Sequence, residues 1–354
     1  MPRHLHLLHC LSKFVVLYLR KIPAGLSKKF YQMEGGLLTF CSSPGFDDDP
    51  NYFISNPESL ITSSDPVSFT LGTGSQILSS VLHSCESTIH ELIIVTCFWA
   101  RSSSCDSIRS LLLNLSHSAK ARRPGLPLRK IRVRLCFSSL SITQKLFHTT
   151  SLNGHVHPPE SWTNLGLPLP EQLGGLDLVV KSIFIRPFSV MHPKFILMDR
   201  ERAWFPSCNV SWEQWFEGCV ELRGPITDGL FDFWSAFWGR QGGGMEVPGK
   251  LIDISDTGQG AFGEINLGEP AVPARTNSNL ISGVDLPPSA TQTILLPSPH
   301  HQNPFTGQMP STPLNTFLLS LIATATGSVW MQTPNLTCGP VLVSHFRTQI
   351  VLLL

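Results

Sequence analysis

The residues most able to do chemistry lie in one short stretch of the sequence. His192 and Lys194 stand two positions apart, Asp199 follows, and Ser207 and Asn209 again stand two positions apart. This set suits phosphodiester chemistry: a lysine ammonium neutralises a phosphate oxygen, and a neutral imidazole can attack phosphorus and form a covalent intermediate. Hydroxyl and amide groups donate hydrogen bonds to the charge that develops. An aspartate at this spacing is expected to orient its neighbours rather than to react.

The local pattern predicts a β-hairpin that brings these side chains together. Strand residues alternate between two faces, so His192 and Lys194 point one way while Phe195 and Leu197 pack on the other. The polar segment 199–202 has the length of a turn, and a second strand returns from position 203. Cross-strand neighbours share one surface, so the hairpin places the two polar pairs side by side.

These residues resemble the signature of the phospholipase D superfamily, His-x-Lys-x4-Asp followed by Gly-Ser-x-Asn. The second part reads Pro206-Ser207-Cys208-Asn209 in this chain, so proline stands where the family has glycine. Proline fixes its φ and has no N–H to donate. Chance agreement of five such residues is rare, which makes the motif specific.

The resemblance implies a fold, a reaction and a set of site residues. The fold class is α/β, a phospholipase D-like mixed sheet flanked by helices, with one full module and a partial second. The reaction is hydrolysis or transfer of a phosphodiester, in a phospholipid or a nucleic acid, through a phosphohistidine on His192. The implied site comprises the catalytic residues His192, Lys194 and Asp199 and the substrate-binding residues Ser207, Asn209 and Glu221. No cofactor is implied, and metal-ligand residues are missing around His192.

The resemblance also implies a second motif, because superfamily members join two of them across a pseudo-twofold axis. Of the thirteen histidines, only His192 has lysine two positions on. His345 is followed by Arg347, without the aspartate or asparagine, and is rejected. Three alternatives stay open: a fungal-type two-module enzyme that stops before its second motif, a homodimer in which two copies of His192 complete the site, and an inactive relative that binds phosphate-bearing ligands.

The predicted domain organisation has four parts. Residues 1–34 form a basic N-terminal arm, 35–240 the catalytic module, 241–312 a Pro/Gly/Ser-rich linker and 313–354 the start of a second module. The last part repeats the order of elements near position 92: helix, buried strand, turn, helix. Residues 35–70 are expected to be rich in loops.

Hydrophobic periodicity predicts the elements that carry the site. Helices are expected over 75–91, 105–116 and 230–238. The apolar run 92–99 predicts a strand buried on both faces, 130–137 a half-buried strand with a basic outer face, and 178–185 a further strand. His155 and His157 fall in a Pro-rich loop that is expected to be solvated.

Bulk composition narrows the remaining alternatives. The chain has 354 residues, 42% of them hydrophobic and 14% charged, with a formal net charge of +1. So small a charge creates no global field that favours nucleic acid. Nine cysteines without a Cys-x-x-Cys pair indicate reduced thiols, and Cys208 is expected to be buried and inert. Trp212, Trp215 and Phe216 are expected to pack in the core, with contact to a lipid or a base as the alternative.

The N-terminal segment bears on localisation. Its first 33 residues contain no Asp or Glu, so a mitochondrial location is the alternative to the expected cytoplasmic one. The apolar run 14–19 is too short for a transmembrane anchor.

Overall fold

The computed structural model describes residues 60–121, 129–140, 154–185, 189–212, 214–239, 281–285, 291–297 and 314. The predicted N-terminal arm and, apart from Leu314, the predicted second module lie outside these ranges. The elements, in chain order, are β1 (Ile61–Thr73), α1 (Gly74–Cys85), β2 (Glu91–Phe98), α2 (Ser103–Ala121), β3 (Ile131–Ser139), β4 (His155–His157), 3₁₀ helices Pro159–Leu165 and Pro170–Leu173, β5 (Leu176–Ser182), β6 (Phe184–Ile185), β7 (Ser189–Val190), β8 (Phe195–Met198), β9 (Arg202–Pro206), β10 (Phe216–Arg223), α3 (Ile226–Phe237), β11 (Ile281–Asp285) and β12 (Thr291–Ile294).

One large mixed sheet organises these elements. Its strand order is β11-β1-β10-β9-β8-β2-β3-β5-β4, and β12 also pairs with β1. The neighbours β2, β3 and β5 run parallel, whereas β8 is antiparallel to β2 and β9 to β8. Strands β6 and β7 form a separate pair. With helices on both faces, this is the predicted α/β fold.

Strand β2 shows why the apolar run is continuous. Leu92 and Ile94 pack into the cluster that contains the buried faces of α1 and α2. Ile93 and Val95 point to the opposite face, into the cluster that contains α3. A strand covered on both sides needs apolar residues at every position, so the prediction of a strand buried on both faces is confirmed.

The prediction that β3 has a solvated basic face is wrong. Arg134 is only 4% exposed, and its guanidinium lies 2.9 Å from the Asp177 carboxylate of β5. Arg132 lies 3.4 Å from the Glu91 carboxylate of β2. Because β3 is flanked by two parallel strands, its arginines pair with acids on those strands; Arg134 is buried, and the Arg132 side chain stays 28% exposed.

Two regions predicted as irregular contain strands. β1 begins within the predicted loop-rich lead-in, and its register shifts between Pro66 and Ser68. β11 and β12 fall within the predicted linker, and both pair with β1. Proline and a polar composition weaken the strand pattern, and only pairing with β10 reveals it. The other module boundaries stay a prediction.

The predicted helix 75–91 ends early. Thr73 and Gln76 form a capping box at the start of α1, and the helix stops at Cys85. Five residues then turn the chain into β2. The sequence pattern misses this turn because a distant residue, Asp199, stabilises it.

Candidate functional site

The candidate site lies at the edge of the sheet where β2 ends. Val95 of β2 pairs with Phe195, the first residue of β8, so the segment just before β8 lies beside the carboxyl end of β2. β9 runs back alongside β8 and ends at the same edge with Pro206. His192, Lys194, Ser207 and Asn209 flank these strand ends. Ligand sites in α/β sheets commonly lie at the carboxyl ends of the strands.

A histidine–lysine pair forms the centre of the site. The Lys194 ammonium lies 3.4 Å from Nε2 of His192 and 3.4 Å from its backbone oxygen. Lys194 is 2% exposed. An ammonium group only donates hydrogen bonds, so Nε2 accepts in this contact and carries a lone pair. The structure thus brings together the first two predicted residues, with Nε2 of His192 next to the Lys194 side chain.

The segment before β8 is fixed by a serine of β3. The Ser138 hydroxyl accepts from the Met191 N–H at 2.7 Å and donates to the Ile183 carbonyl at 2.6 Å. Ser138 lies near the carboxyl end of β3, which is the parallel neighbour of β2. This buried hydroxyl therefore ties the backbone next to His192 to the sheet edge.

Ser207 and Asn209 are held by hydrogen bonds at the same edge. The Ser207 hydroxyl donates to the Glu217 carboxylate and accepts from the Gly218 N–H at 2.9 Å. Oδ1 of Asn209 accepts from the Phe98 N–H at 3.2 Å. This contact orients the amide and leaves its NH₂ group as a donor. Pro206, the departure from the family pattern, ends β9 opposite Cys219.

Charges from both halves of the site act on one buried thiol. Burial raises the pKa of Cys208 to about 12, the Glu217 carboxylate adds to the rise, and the Lys194 ammonium opposes it. Cys208 is 5% exposed. The predicted buried position of this cysteine is confirmed, and its surroundings place Lys194 and Glu217 within electrostatic reach of the same atom.

Asp199 lies at the other end of the hairpin. Its carboxylate accepts from the N–H groups of Ile89, His90 and Glu91 at 2.8, 2.7 and 2.8 Å. Strand β8 separates it from Lys194, roughly 16 Å away at about 3.3 Å per residue. Asp199 therefore lies apart from the histidine–lysine pair with which the resemblance groups it. The expectation that it orients neighbours agrees with its contacts.

The Glu221 carboxylate also makes its contacts away from the histidine–lysine pair. Its carboxylate accepts from the Arg202 guanidinium at 2.9 and 2.7 Å, and Ser68 donates to it at 3.4 Å. These contacts occupy it within the sheet. Glu217, four residues earlier, is the carboxylate that contacts the site, and the sequence interpretation missed it. The sequence offers no local signal for this contact, because it is the pairing of Cys219 with Pro206 that brings the start of β10 beside Ser207.

The two histidines of the Pro-rich segment are not in a solvated loop. They belong to β4, at the edge of the sheet, and Nε2 of His157 lies 3.0 Å from the Ser182 hydroxyl. His157 is buried, and burial lowers the pKa of His155. Within the described ranges, no group of three His, Cys, Asp or Glu side chains could hold a metal ion. The described helices include none that is both long and apolar enough to span a membrane.

Comparisons with known proteins show likeness only at the level of solved structures. No protein-family model and no curated protein matches the chain. The chain is similar to Nuc, a phospholipase D family member from Salmonella typhimurium, with 12% identity, a TM-score of 0.29, and coverage of 48% of this chain and 93% of Nuc. For NucT from Helicobacter pylori the values are 10%, 0.30, 48% and 94%. For phosphatidylserine synthase from Haemophilus influenzae they are 14%, 0.28, 50% and 38%.

Proposed function

We propose that this chain is a phosphodiesterase that hydrolyses or transfers a phosphodiester through a phosphohistidine on His192. The observation that carries the proposal is the contact between Nε2 of His192 and the buried Lys194 ammonium, 3.4 Å apart. A cation next to an unprotonated ring nitrogen provides an oxyanion partner and a nucleophile for the same phosphorus atom.

The proposed reaction has two steps. A non-bridging oxygen of the substrate binds the Lys194 ammonium, and the Nε2 lone pair forms a bond to phosphorus. The bond from phosphorus to the leaving oxygen breaks, and that oxygen keeps the electron pair and takes up a proton. Water or a second alcohol then attacks the phosphohistidine, loses its proton and releases the His192 ring.

Neighbouring polar groups stabilise the charge that builds up on the phosphoryl oxygens. The Asn209 NH₂ group is oriented by the Phe98 N–H and can donate to the substrate. The Ser207 hydroxyl donates its one proton to Glu217 and accepts from the Gly218 N–H, so it stabilises this edge of the site and leaves the Asn209 amide as the donor to the substrate. Donors held in place before the reaction are worth more than mobile ones, because no reorganisation is needed in the transition state.

A proton donor for the leaving group is the part that one motif does not provide. A positioned acid contributes about 10²–10⁴-fold in rate. We propose that a second copy of the chain provides it, with the two His192 side chains facing one substrate. A dimer mass by light scattering, together with a monomeric variant that loses turnover, is the expected result. A monomer with full activity contradicts this part of the proposal.

The main experiment measures hydrolysis of an aryl phosphodiester by the full chain. His192→Ala is expected to abolish turnover, and mass spectrometry of the quenched unmodified chain is expected to find a phosphoryl adduct on the peptide containing His192. His83→Ala is the matched control, since His83 is an exposed histidine on α1 whose side chain is 72% accessible. Turnover retained in His192→Ala refutes the mechanism.

The alternative is an inactive relative that only binds phosphate-bearing ligands. The presence of only one His-x-Lys pair in the sequence favours it. Its expected result is a folded chain with no turnover at any enzyme concentration, which still binds inorganic phosphate and loses that binding in Lys194→Met.

A further inference from the structure

Three large aromatic side chains are exposed beside the candidate site. Trp212, Trp215 and Phe216 are 62%, 60% and 67% exposed, so the prediction that they pack in the core is wrong. In the described part of the chain, Ile89 and Leu169 are the other large hydrophobic side chains with this degree of exposure. An apolar cluster of this kind marks an interaction surface more often than scattered single residues do.

The segment that carries these aromatics, residues 210–216, is called here the aromatic loop. It connects Asn209 to Glu217, so both of its ends belong to the candidate site. Trp212 packs edge-on against Phe98 with ring centroids 5.9 Å apart, and the Phe98 N–H donates to Asn209. A seven-residue segment fixed at both ends extends at most about 12 Å from them. A partner that binds the aromatic loop therefore lies within about 12 Å of Asn209 and Glu217, the site residues at its two ends.

Charge decides which surface fits the aromatic loop. From position 203 to 222 the sequence contains no Lys, Arg or His, whereas it contains Glu213, Glu217 and Glu221. Proteins that stack nucleic-acid bases on aromatic side chains combine them with a positively charged groove along the backbone. The aromatic loop lacks that cation component. Tryptophan is enriched at the headgroup level of bilayers. Because the loop has no basic residue that would attract an anionic surface, its two tryptophans suit a zwitterionic bilayer.

We propose that the aromatic loop inserts into the surface of a phosphatidylcholine-like bilayer, and that the substrate is a phospholipid presented there. The substrate part rests on the proposed function; the docking part does not. Insertion of the aromatics brings the edge of the sheet to the depth of the lipid phosphodiester. The short reach of the loop then places that phosphodiester beside His192 without extracting the lipid.

The test is flotation of the full-length chain with phosphatidylcholine vesicles at 0.15 M salt. The double variant Trp212→Ala/Trp215→Ala is expected to bind at least about 10-fold more weakly, because it removes two apolar side chains from the buried contact. Leu169→Ala is the matched control: Leu169 is 51% exposed and lies outside the aromatic loop, at the start of the second 3₁₀ helix. It is expected to bind as the unmodified chain does.

Two further measurements keep the proposal refutable. Raising the salt from 0.05 to 0.5 M is expected to change binding less than about twofold, because the loop has no basic residue whose attraction salt would screen. Brominated lipid is expected to quench tryptophan fluorescence in the unmodified chain and less in the double variant. The salt series does not depend on how well a variant folds, because it uses the unmodified chain alone.

The contrary results are specific. Absence of vesicle binding, or equal binding by the double variant, overturns the docking proposal. Binding of oligo(dT) that is lost in the double variant, with no vesicle binding, overturns it in favour of a nucleic acid. His192→Ala is expected to bind vesicles as the unmodified chain does. If the unmodified chain binds vesicles through its tryptophans but has no turnover, the proposed function is refuted and the docking proposal stands.

Discussion

The two ends of the β8–β9 hairpin use polar residues in opposite ways. At the turn end, Asp199 accepts from three backbone N–H groups, and the Arg200 guanidinium lies 2.8 Å from Glu91, which is 1% exposed. At the open end, the ammonium, imidazole, hydroxyl and amide gather beside the end of β2. The first set of contacts holds the hairpin against β2. The second holds the Lys194 ammonium beside the His192 ring, the Ser207 hydroxyl on Glu217 and the Asn209 amide on the Phe98 N–H.

The turn end also carries backbone strain. Asp199 and Arg200 adopt φ values of 51° and 57°, in the left-handed region that non-glycine residues seldom occupy. Their side chains offset that cost through the contacts with residues 89–91. The comparison teaches that a motif with fixed spacing can combine two tasks. Four residues separate Lys194 from Asp199 because the four residues of β8 lie between the candidate site and the turn.

The largest expected effect follows from removing the Lys194 ammonium at the open end of the hairpin. Lys194→Met keeps the apolar stem and removes the ammonium, so turnover is expected to fall about 10²–10³-fold, the scale for losing one preorganised charge-stabilising group. Steady-state hydrolysis of an aryl phosphodiester measures it. Lys181→Met is the matched control: Lys181 is also buried, but its ammonium donates to the Trp238 carbonyl at 2.8 Å. Equal losses of activity in Lys194→Met and Lys181→Met contradict a charge-stabilising role for Lys194.

The next effect concerns the turn end. Asp199→Ala leaves three backbone N–H groups without their acceptor, so the free energy of unfolding is expected to drop by about 2–4 kcal/mol. Turnover per folded molecule is expected to stay within about threefold, because the carboxylate does not reach the site. Urea denaturation and turnover below the transition measure the two quantities. A large loss of turnover with unchanged stability shows instead that Asp199 acts in the chemistry.

Much of the site could be predicted from local pattern. The hairpin, the contact of His192 with Lys194 and the buried position of Cys208 involve residues close in sequence, and the structure shows all three, although these residues lie just outside β8 and β9. The continuous apolar run of β2 likewise gave both its length and its burial on two faces. Such features are set by neighbours in the sequence, which the pattern contains.

Several features that the sequence pattern misses involve contacts between distant segments. Asp199 meets residues 89–91, Arg134 meets Asp177, and β1 pairs with β12; each contact joins positions that no local period connects. Glu217 was missed because the family spacing, which indicates Glu221, cannot show which carboxylate faces Ser207. The exposed aromatic loop failed the usual rule that large aromatics are buried, and a failure of that kind is expected at functional surfaces.

A smaller effect distinguishes the two carboxylates of β10. Glu217→Gln replaces a charged acceptor for Ser207 with a neutral one, so turnover is expected to fall about 10-fold, since charge-assisted hydrogen bonds are roughly twice as strong. Glu221→Gln is expected to leave turnover within about twofold and to lower stability by about 1–2 kcal/mol, because Arg202 loses its partner in a partly buried pair. The reverse pattern restores Glu221 to the site.

The smallest effect concerns the Cys208 thiol, which lies between Ser207 and Asn209 just after β9. Cys208 has a pKa raised to about 12, chiefly by burial. At pH 8, roughly one thiol in 10⁴ is then ionised, and the thiolate is the reactive form. Iodoacetamide at pH 8 is therefore expected to leave Cys208 unlabelled in the folded chain and to label it in urea, as peptide mass spectrometry measures. Cys208→Ala is expected to change turnover less than about threefold. Rapid labelling of Cys208 in the folded chain, together with loss of turnover, shows instead that this thiol is accessible from the site. The hydrophobic core then does not close off Cys208 from the histidine–lysine pair.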